Sequence, residues 1–346
     1  MTRKMATIRK IDALRPIPGA DAIECAIVGG WTCVVKRGEY TVGDLAVYCE
    51  IDSFIPTTVA PFLTKPGHYA KTFEGVEGER LRTVKLRGQL SQGLLLPFTA
   101  VMAIMIGAGP GARDDDYIGM DVSELLGIKK YEAPVPAELA GEVKGMFPSV
   151  IPKTDQERIQ NLSVELEEWK AENLSWEVTE KLDGSSMTVY VIDGEVGVCS
   201  RNLDLKRNPG NSLWRAAIDH NLEEKLVGYN NIAIQGELIG NGIQGNKYMM
   251  RDQAFYVYDV YDITAGRYFT PTERMTLVQD LDLLHCPVLH RATELLISVD
   301  SLLALAEGKS VMGTVGCERE GIVYKCHEKQ VSFKAISNKF LLKGGE

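Results

Sequence analysis

The hexapeptide Glu180-Lys-Leu-Asp-Gly-Ser185 sets a lysine amine two places before a carboxylate and its neighbouring glycine. An amine is a nucleophile only once it has lost its proton, and a free lysine near pH 7 is almost wholly charged. Desolvation or a nearby cation must lower its pKa, whereas carboxylates alone raise it. The segment therefore makes chemical sense as a reactive lysine only if something positive joins the acids. It also reads as a hairpin turn at Asp183-Gly184 between strands at residues 176–179 and 187–192.

Two glycine-rich segments imitate phosphate loops. Residues 107–112, Gly-Ala-Gly-Pro-Gly-Ala, follow an apolar run, but no helical apolar stripe comes after them, so they read as a flexible loop. Residues 240–247, Gly-Asn-Gly-Ile-Gln-Gly-Asn-Lys, place the lysine one position late and Tyr248 where Ser or Thr should follow.

Downstream of Lys181 come Ser200-Arg201-Asn202, Gln235-Gly-Glu-Leu238, Phe255-Tyr-Val-Tyr-Asp259, Glu320-Gly-Ile-Val-Tyr-Lys325 and Ser332-Phe-Lys334. With the lysine segment, this ordered set resembles nucleotidyltransferase motifs I, Ia, III, IIIa, IV and V of covalent ligases and mRNA-capping enzymes. The likeness runs from about residue 151 to the C-terminus. It implies that Lys181 takes AMP from ATP and that Asp183, Glu237 and Glu320 hold Mg²⁺ or Mn²⁺, partly through water. Arg201 and Lys334 would meet the phosphates, and Tyr258 would stack on adenine. The implied catalytic set is Lys181, Asp183, Arg201, Glu237, Glu320 and Lys334; the nucleotide contacts are Lys181, Arg201, Glu237, Tyr258 and Lys334. A divalent cation would reverse the field of the acids and stabilise charge building on the α-phosphate.

Each residue has a plainer reading. Glu237 could end a strand in solvent, and Glu320 could form a surface ion pair beside Glu318 and Arg319. Arg201 and Asn202 could close a turn, Tyr258 could be core, and Lys334 could sit on an exposed strand face.

DNA ligases and capping enzymes carry an OB domain after motif V, but here only residues 335–346 follow it. The extra domain lies at the N-terminus, which resembles the Deinococcus-type RNA ligase family: an OB-like module, then a minimal nucleotidyltransferase domain. Residues 81–94 and 151–160 share that likeness. It implies an ATP-dependent RNA ligase joining 3′-hydroxyl and 5′-phosphate ends, acting on RNA or an RNA-containing nicked duplex and expected to be a monomer. A DNA ligase, a capping-type transferase or a non-catalytic OB-type nucleic-acid binder are the alternatives. Some relatives carry two motif V lysines; here only Lys334 is present, with Lys339 the nearest substitute. Ser186 stands where some relatives place asparagine. Arg80, Arg82, Lys85 and Arg87 are candidate RNA-phosphate contacts, and Arg158 a candidate contact to the triphosphate; each also reads as a solvated residue.

The elements that must position these side chains are legible in outline. Short apolar or alternating runs at 23–28, 31–35, 45–48 and 81–86, punctuated by glycine-containing turns, suggest a small barrel or sandwich. Prolines at 134, 136, 148 and 152 mark a boundary. Beyond it an amphipathic helix is predicted over 159–170, capped by Thr154 or Asp155, and a second over 213–226. Strands are predicted at 196–200, 232–238, 254–260, 321–325 and 331–335. The expected fold is α+β: an OB-like β-barrel in residues 1–130, a linker over 131–150, and an ATP-grasp-like nucleotidyltransferase domain over 151–346, with antiparallel sheets and flanking helices.

Composition constrains the rest. Apolar content of 45% and charged content of 25% are ordinary for a globular protein. No apolar run approaches the length needed to span a bilayer, and the basic N-terminus lacks the apolar stretch of a secretory signal. Seven cysteines without a CxxC pair suggest reduced thiols and a cytoplasmic protein, and no zinc-ligand spacing occurs. A net charge of −9 counts mildly against a nucleic-acid binder, unless metal ions offset carboxylates and the basic residues cluster.

Overall fold

β-Branched and aromatic residues in short alternating runs make strands the main regular elements of the N-terminal part. Ile23–Val28 pairs with Trp31–Lys36 across Gly29-Gly30, both glycines at positive φ as a two-residue hairpin turn demands. The computed structural model describes residues 3–102, 114–133, 141–295, 298–312 and 316–344. Its chain divides into two units, residues 1–134 and 135–345.

In the first unit, Leu45–Cys49 lies between Ala6–Lys10 and Leu94–Pro97, and Ser53–Pro56 pairs with Val76–Arg80. Two apolar clusters fill it, one around Ile8, Val47 and Ile55, the other around Trp31, Tyr48 and Leu95. The single strand expected over 81–86 is instead a three-residue link, 81–83, followed by the short strand Val84–Leu86. Leu81 exchanges backbone hydrogen bonds with Asp52 and Ser53. Val84–Leu86 then pairs with Gln89–Ser91 in a two-stranded hairpin turned by Arg87 and Gly88. Residues 107–112 lie outside the described residues.

Among its described residues, the second unit holds two sheets. The larger, eight-stranded, runs Val143–Met146, Leu203–Leu205, Glu195–Cys199, Ser185–Ile192, Ile232–Ile239, Ala254–Asp262 and Arg267–Tyr268, with Leu284–His285 also against Ala254–Asp262. The smaller runs Glu157–Arg158, Val331–Ile336, Gly321–Cys326, Trp176–Lys181 and Val288–Thr293. Neighbours are antiparallel apart from two short parallel pairs among the described strands, at Glu157–Arg158 and Leu284–His285. Helices Ser212–Asp219 and Pro271–Asp280 send Leu213, Trp214, Leu277 and Val278 into a core with Val189, Ile234 and Val257 of the larger sheet. Helices Ser163–Ala171 and Val299–Ala306 bury Leu166, Leu302 and Leu303 with Trp176, Val178 and Phe333 of the smaller. Each such side chain is worth about 1.5–3 kcal/mol when fully buried.

Three local expectations change. The helix expected over 159–170 opens as a 3₁₀ turn, Ile159–Asn161, before Ser163–Ala171. Neither Thr154 nor Asp155 caps it; Thr154 hydrogen-bonds Ser186, and Asp155 pairs with Arg201. The helix expected over 213–226 is two, Ser212–Asp219 and Leu222–Lys225, separated where Asn221 takes a left-handed φ of 56°. Part of the segment expected as a linker, Val143–Met146, pairs with Leu203–Leu205.

Candidate active site

The Trp176–Lys181 strand ends at Lys181, whose partner in the smaller sheet is Gly321. The chain then crosses to the larger sheet, where Ser185–Ile192 pairs with Ile232–Ile239. The two flanking strands belong to different sheets, so residues 181–185 are a crossover and not the hairpin turn the sequence also allowed. Gly184 is needed because the crossover presses on Ile232–Ile239. A Cβ there would sit 2.4 Å from the Leu238 carbonyl oxygen and 2.9 Å from Cγ of Glu237.

This crossover gathers the acids. Register pairs Glu237 with Ser186, and the Gly184 N–H donates to the Glu237 carboxylate. Glu320 immediately precedes Gly321, the partner of Lys181, and its Oε1 lies 2.7 Å from Lys181 Nζ. Lys334 enters from the next strand, opposite Val323. Tyr258 comes from a bulge: Gln235 pairs with Asp259 and Gly236 with Val257, which leaves Tyr258 as the extra residue. Bulges commonly re-aim a side chain in this way.

Lys181, Asp183, Arg201, Glu237, Tyr258, Glu320 and Lys334 all line one cavity of about 590 Å³ within the second unit. That volume is in the usual range for small-ligand sites. The plainer reading of Glu320 fails, since it pairs with Lys181 while Arg319 donates to the carbonyls of Leu305, Ala306 and Glu307. Arg201 does sit in a turn, between Glu195–Cys199 and Leu203–Leu205, and it pairs with Asp155 at 2.7 Å. Arg158 is buried beside Lys334 in the sheet. Lys339 pairs with Glu307 at 2.7 Å and is not among the cavity residues.

Burial alone would pull the Lys181 pKa down, but Glu320, then Glu237 and Asp183, outweigh it and raise it above the ordinary lysine value. Burial pushes the Glu237 carboxyl up to about 8, against the pull of Lys181, with Glu320 and Asp183 adding to the rise. Glu320 is likewise raised by burial, with Lys181 opposing. As it stands, the site holds its proton on the amine and needs positive charge to release it.

Among the described residues, no three His, Cys, Asp or Glu side chains converge into a cage that would hold a metal alone. A hard divalent cation does not need one, since Mg²⁺ is commonly bound by one or two carboxylates, water and substrate phosphates. The donor set fits that pattern. Oε2 of Glu320 is buried without a hydrogen-bond partner, and burial raises the Glu237 carboxyl, a group whose ionised form a cation would favour.

Three neighbours carried no assigned role from sequence. Lys325, 4% exposed, donates to the Tyr258 carbonyl and pairs with Asp259 at 2.8 Å; the signal was present, since it closes the Glu320–Lys325 segment. Lys247 and Tyr248 both contact Asp183, from a segment set aside for failing the phosphate-loop spacing.

A family model described as an OB-fold domain matches residues 5–98, and one described as RNA ligase matches residues 174–337. The solved structure of a Naegleria gruberi RNA ligase glutamate-to-alanine variant with AMP and Mn is 45% identical, covers 99% of each chain and superposes with a TM-score of 0.81. A lysine-to-alanine variant of that enzyme with ATP and Mn is 45% identical over 98% of this chain and 99% of the other, with a TM-score of 0.80. The enzyme with PPi is 44% identical over 99% of each chain, with a TM-score of 0.79. No curated protein matches the chain. The fold is thus an N-terminal OB-fold domain followed by a ligase domain of antiparallel sheets. The chain belongs to the RNA ligase family.

Proposed function

We propose that this chain is an ATP-dependent RNA ligase in which Lys181 carries AMP, and that within its family it is of the Deinococcus type. The observation that carries the reading is the convergence of Lys181, Asp183, Glu237, Glu320, Lys334, Arg201 and Tyr258 on one cavity, with the amine 2.7 Å from Glu320. The Naegleria enzyme with ATP and Mn, 45% identical over nearly the whole chain, supports it. The order of an OB-fold domain before the ligase domain supports the subfamily.

Bound Mg²⁺ or Mn²⁺ supplies positive charge that offsets the carboxylates and the charge building on the phosphate. Tyr258 offers a planar face to adenine, and Lys334 and Arg201 hold phosphate oxygens. The deprotonated Nζ of Lys181 attacks the α-phosphorus in line; a P–N bond forms as the bond to pyrophosphate breaks. The 5′-phosphate of an RNA end then takes the AMP, breaking the P–N bond and returning the lysine. A 3′-hydroxyl finally attacks that activated 5′-phosphorus, forming the phosphodiester and expelling AMP. Positioning and electrostatics supply most of the acceleration.

The substrates are RNA ends, including nicks in RNA-containing duplexes. Arg82, Lys85 and Arg87 on and beside the Val84–Leu86 hairpin support that choice: residues 80–93 contain four basic side chains and no acid, and Lys85 and Arg87 are exposed. Among the described residues no helix is long and apolar enough to cross a membrane. Seven cysteines, all unpaired and six of them buried, support a reducing, cytoplasmic setting.

ATP labelled at the α-phosphate should label the protein, and Lys181→Ala should abolish the label. The labelled protein should pass AMP to a 5′-phosphorylated RNA end. Persistent labelling of the alanine variant refutes the assignment, and equal sealing of matched nicks ending in ribose or deoxyribose refutes the RNA preference.

A further inference from the structure

Asp183 is gripped twice by consecutive residues of one loop. Nζ of Lys247 lies 2.5 Å from its Oδ2, and Oη of Tyr248 accepts its backbone N–H at 2.8 Å. The loop that delivers them is built for shape. Gln244, Asn246 and Met249 all take left-handed φ values. The Asn246 side chain closes on Met250, donating to its carbonyl at 2.8 Å and accepting its N–H at 3.0 Å. Gln253 donates to the Asn241 carbonyl at 2.8 Å. Tyr248 is 5% exposed and packs with Leu182, Ile239 and Cys286, so its hydroxyl has a fixed place.

Neither Lys247 nor Tyr248 lines the cavity, but Lys247 differs from Tyr248 in a further contact: its ammonium also lies 4.1 Å from the ring centroid of Phe340. A cation held by both a carboxylate and an aromatic face can release one and keep the other. The carboxylate it occupies is one of the three acids read above as cation holders.

We propose that Lys247 is an internal counter-ion that shares Asp183 with the divalent cation, and that Tyr248 is the positioning residue that fixes the Asp183 turn. This rests on the reading of Asp183 as a cation holder. Before ATP and metal load, Lys247 neutralises Asp183; on loading, its ammonium yields that oxygen and stays over Phe340. Lys247 thereby sets how much divalent cation the site requires, and Tyr248 sets the geometry of the nucleophile's turn.

The test uses the full-length protein and Mn²⁺, with bound Mn²⁺ read by electron paramagnetic resonance in the presence of a non-hydrolysable ATP analogue, and lysine labelling by α-labelled ATP read in a parallel series. Lys247→Ala should lower the Mn²⁺ concentration for half-saturation several-fold, because no ammonium competes for Asp183. Lys247→Arg should keep the wild-type midpoint. Tyr248→Phe, which keeps the packing and removes the acceptor, should lower the maximal labelling rate about tenfold with the midpoint unmoved. An unchanged or higher midpoint in Lys247→Ala overturns the counter-ion role, and a full rate in Tyr248→Phe overturns the positioning role. Wild-type labelling in the same series separates such a failure from a failure of Lys181 as the nucleophile.

Discussion

Nζ of Lys181 and Oε1 of Glu320 lie 2.7 Å apart, each supplied by an end of one of two paired strands. The contact raises the lysine's pKa, which on its own opposes nucleophilic attack. On the proposed function, Glu320 offsets that effect by serving the cation that frees the amine. Glu320→Ala should lower single-turnover labelling of Lys181 by about 100-fold or more, the scale of losing one preorganised electrostatic contact. A faster rate in that variant would show that the acid merely restrains the lysine.

Tyr258 sits at a bulge, with Lys325 Nζ 5.4 Å from its ring centroid and donating to its carbonyl. If the ring stacks on adenine, Tyr258→Phe should keep ATP half-saturation within a few-fold. Tyr258→Ala should raise it about 10- to 100-fold, since base–aromatic stacking is worth roughly 1–3 kcal/mol. Equal values for the two variants would put the ring in the core and not on the nucleotide.

Behind the cavity runs a buried ionic group. Arg274, fully buried, pairs with Glu177 at 2.5 Å and lies 3.6 Å from Asp259, which also pairs with Lys325. Removing one partner strands a buried charge. Glu177→Ala should cost about 3–5 kcal/mol in urea unfolding, and the double replacement Glu177→Leu with Arg274→Met should recover much of it. A single-variant loss under about 1 kcal/mol would show that water screens the pair.

His285 accepts from Nε of Arg274 at 2.9 Å through Nε2, so its Nδ1 carries the proton toward the Cys286 carbonyl. Burial first, then Arg274, lowers its pKa to about 4. The unfolded chain, with an ordinary histidine near 6.5, binds more protons between those values. Stability is therefore full above about pH 6.5 and falls as pH drops toward about 4, by about 1.4 kcal/mol per pH unit for this group. Denaturation midpoints at pH 7.5, 5.5 and 4.5 should show a shallower decline in His285→Asn. An identical slope would mean that other groups carry it.

The strands that flank the site were legible because their apolar periodicity is strong, as in Ile232–Ile239 and Gly321–Cys326, whose bounds differ from expectation by a single residue. Breaks inside helices were not, since the left-handed Asn221 and the turn at Ile159–Asn161 are decided by packing. The candidate site residues were chosen by type, order and resemblance, and the structure brings them to one cavity. What residues 181–185 do was hidden, because a sequence does not state which strand its neighbour pairs with. The pairs Lys247–Asp183 and Arg201–Asp155 were hidden for the same reason: each joins residues far apart in the chain. Lys247 was overlooked because it was judged against a phosphate loop, when its partner is a carboxylate.

The smaller sheet places Trp176–Lys181 directly beside Gly321–Cys326, with Val331–Ile336 on the far side of that strand. On the ribosome, a nascent chain shorter than about residue 336 has its lysine but not this bed for it. Glu320, Lys334 and the strand opposite Lys181 are translated more than a hundred residues after it. On the proposed function, Lys181 therefore gains its site only once residues 320–336 have joined it.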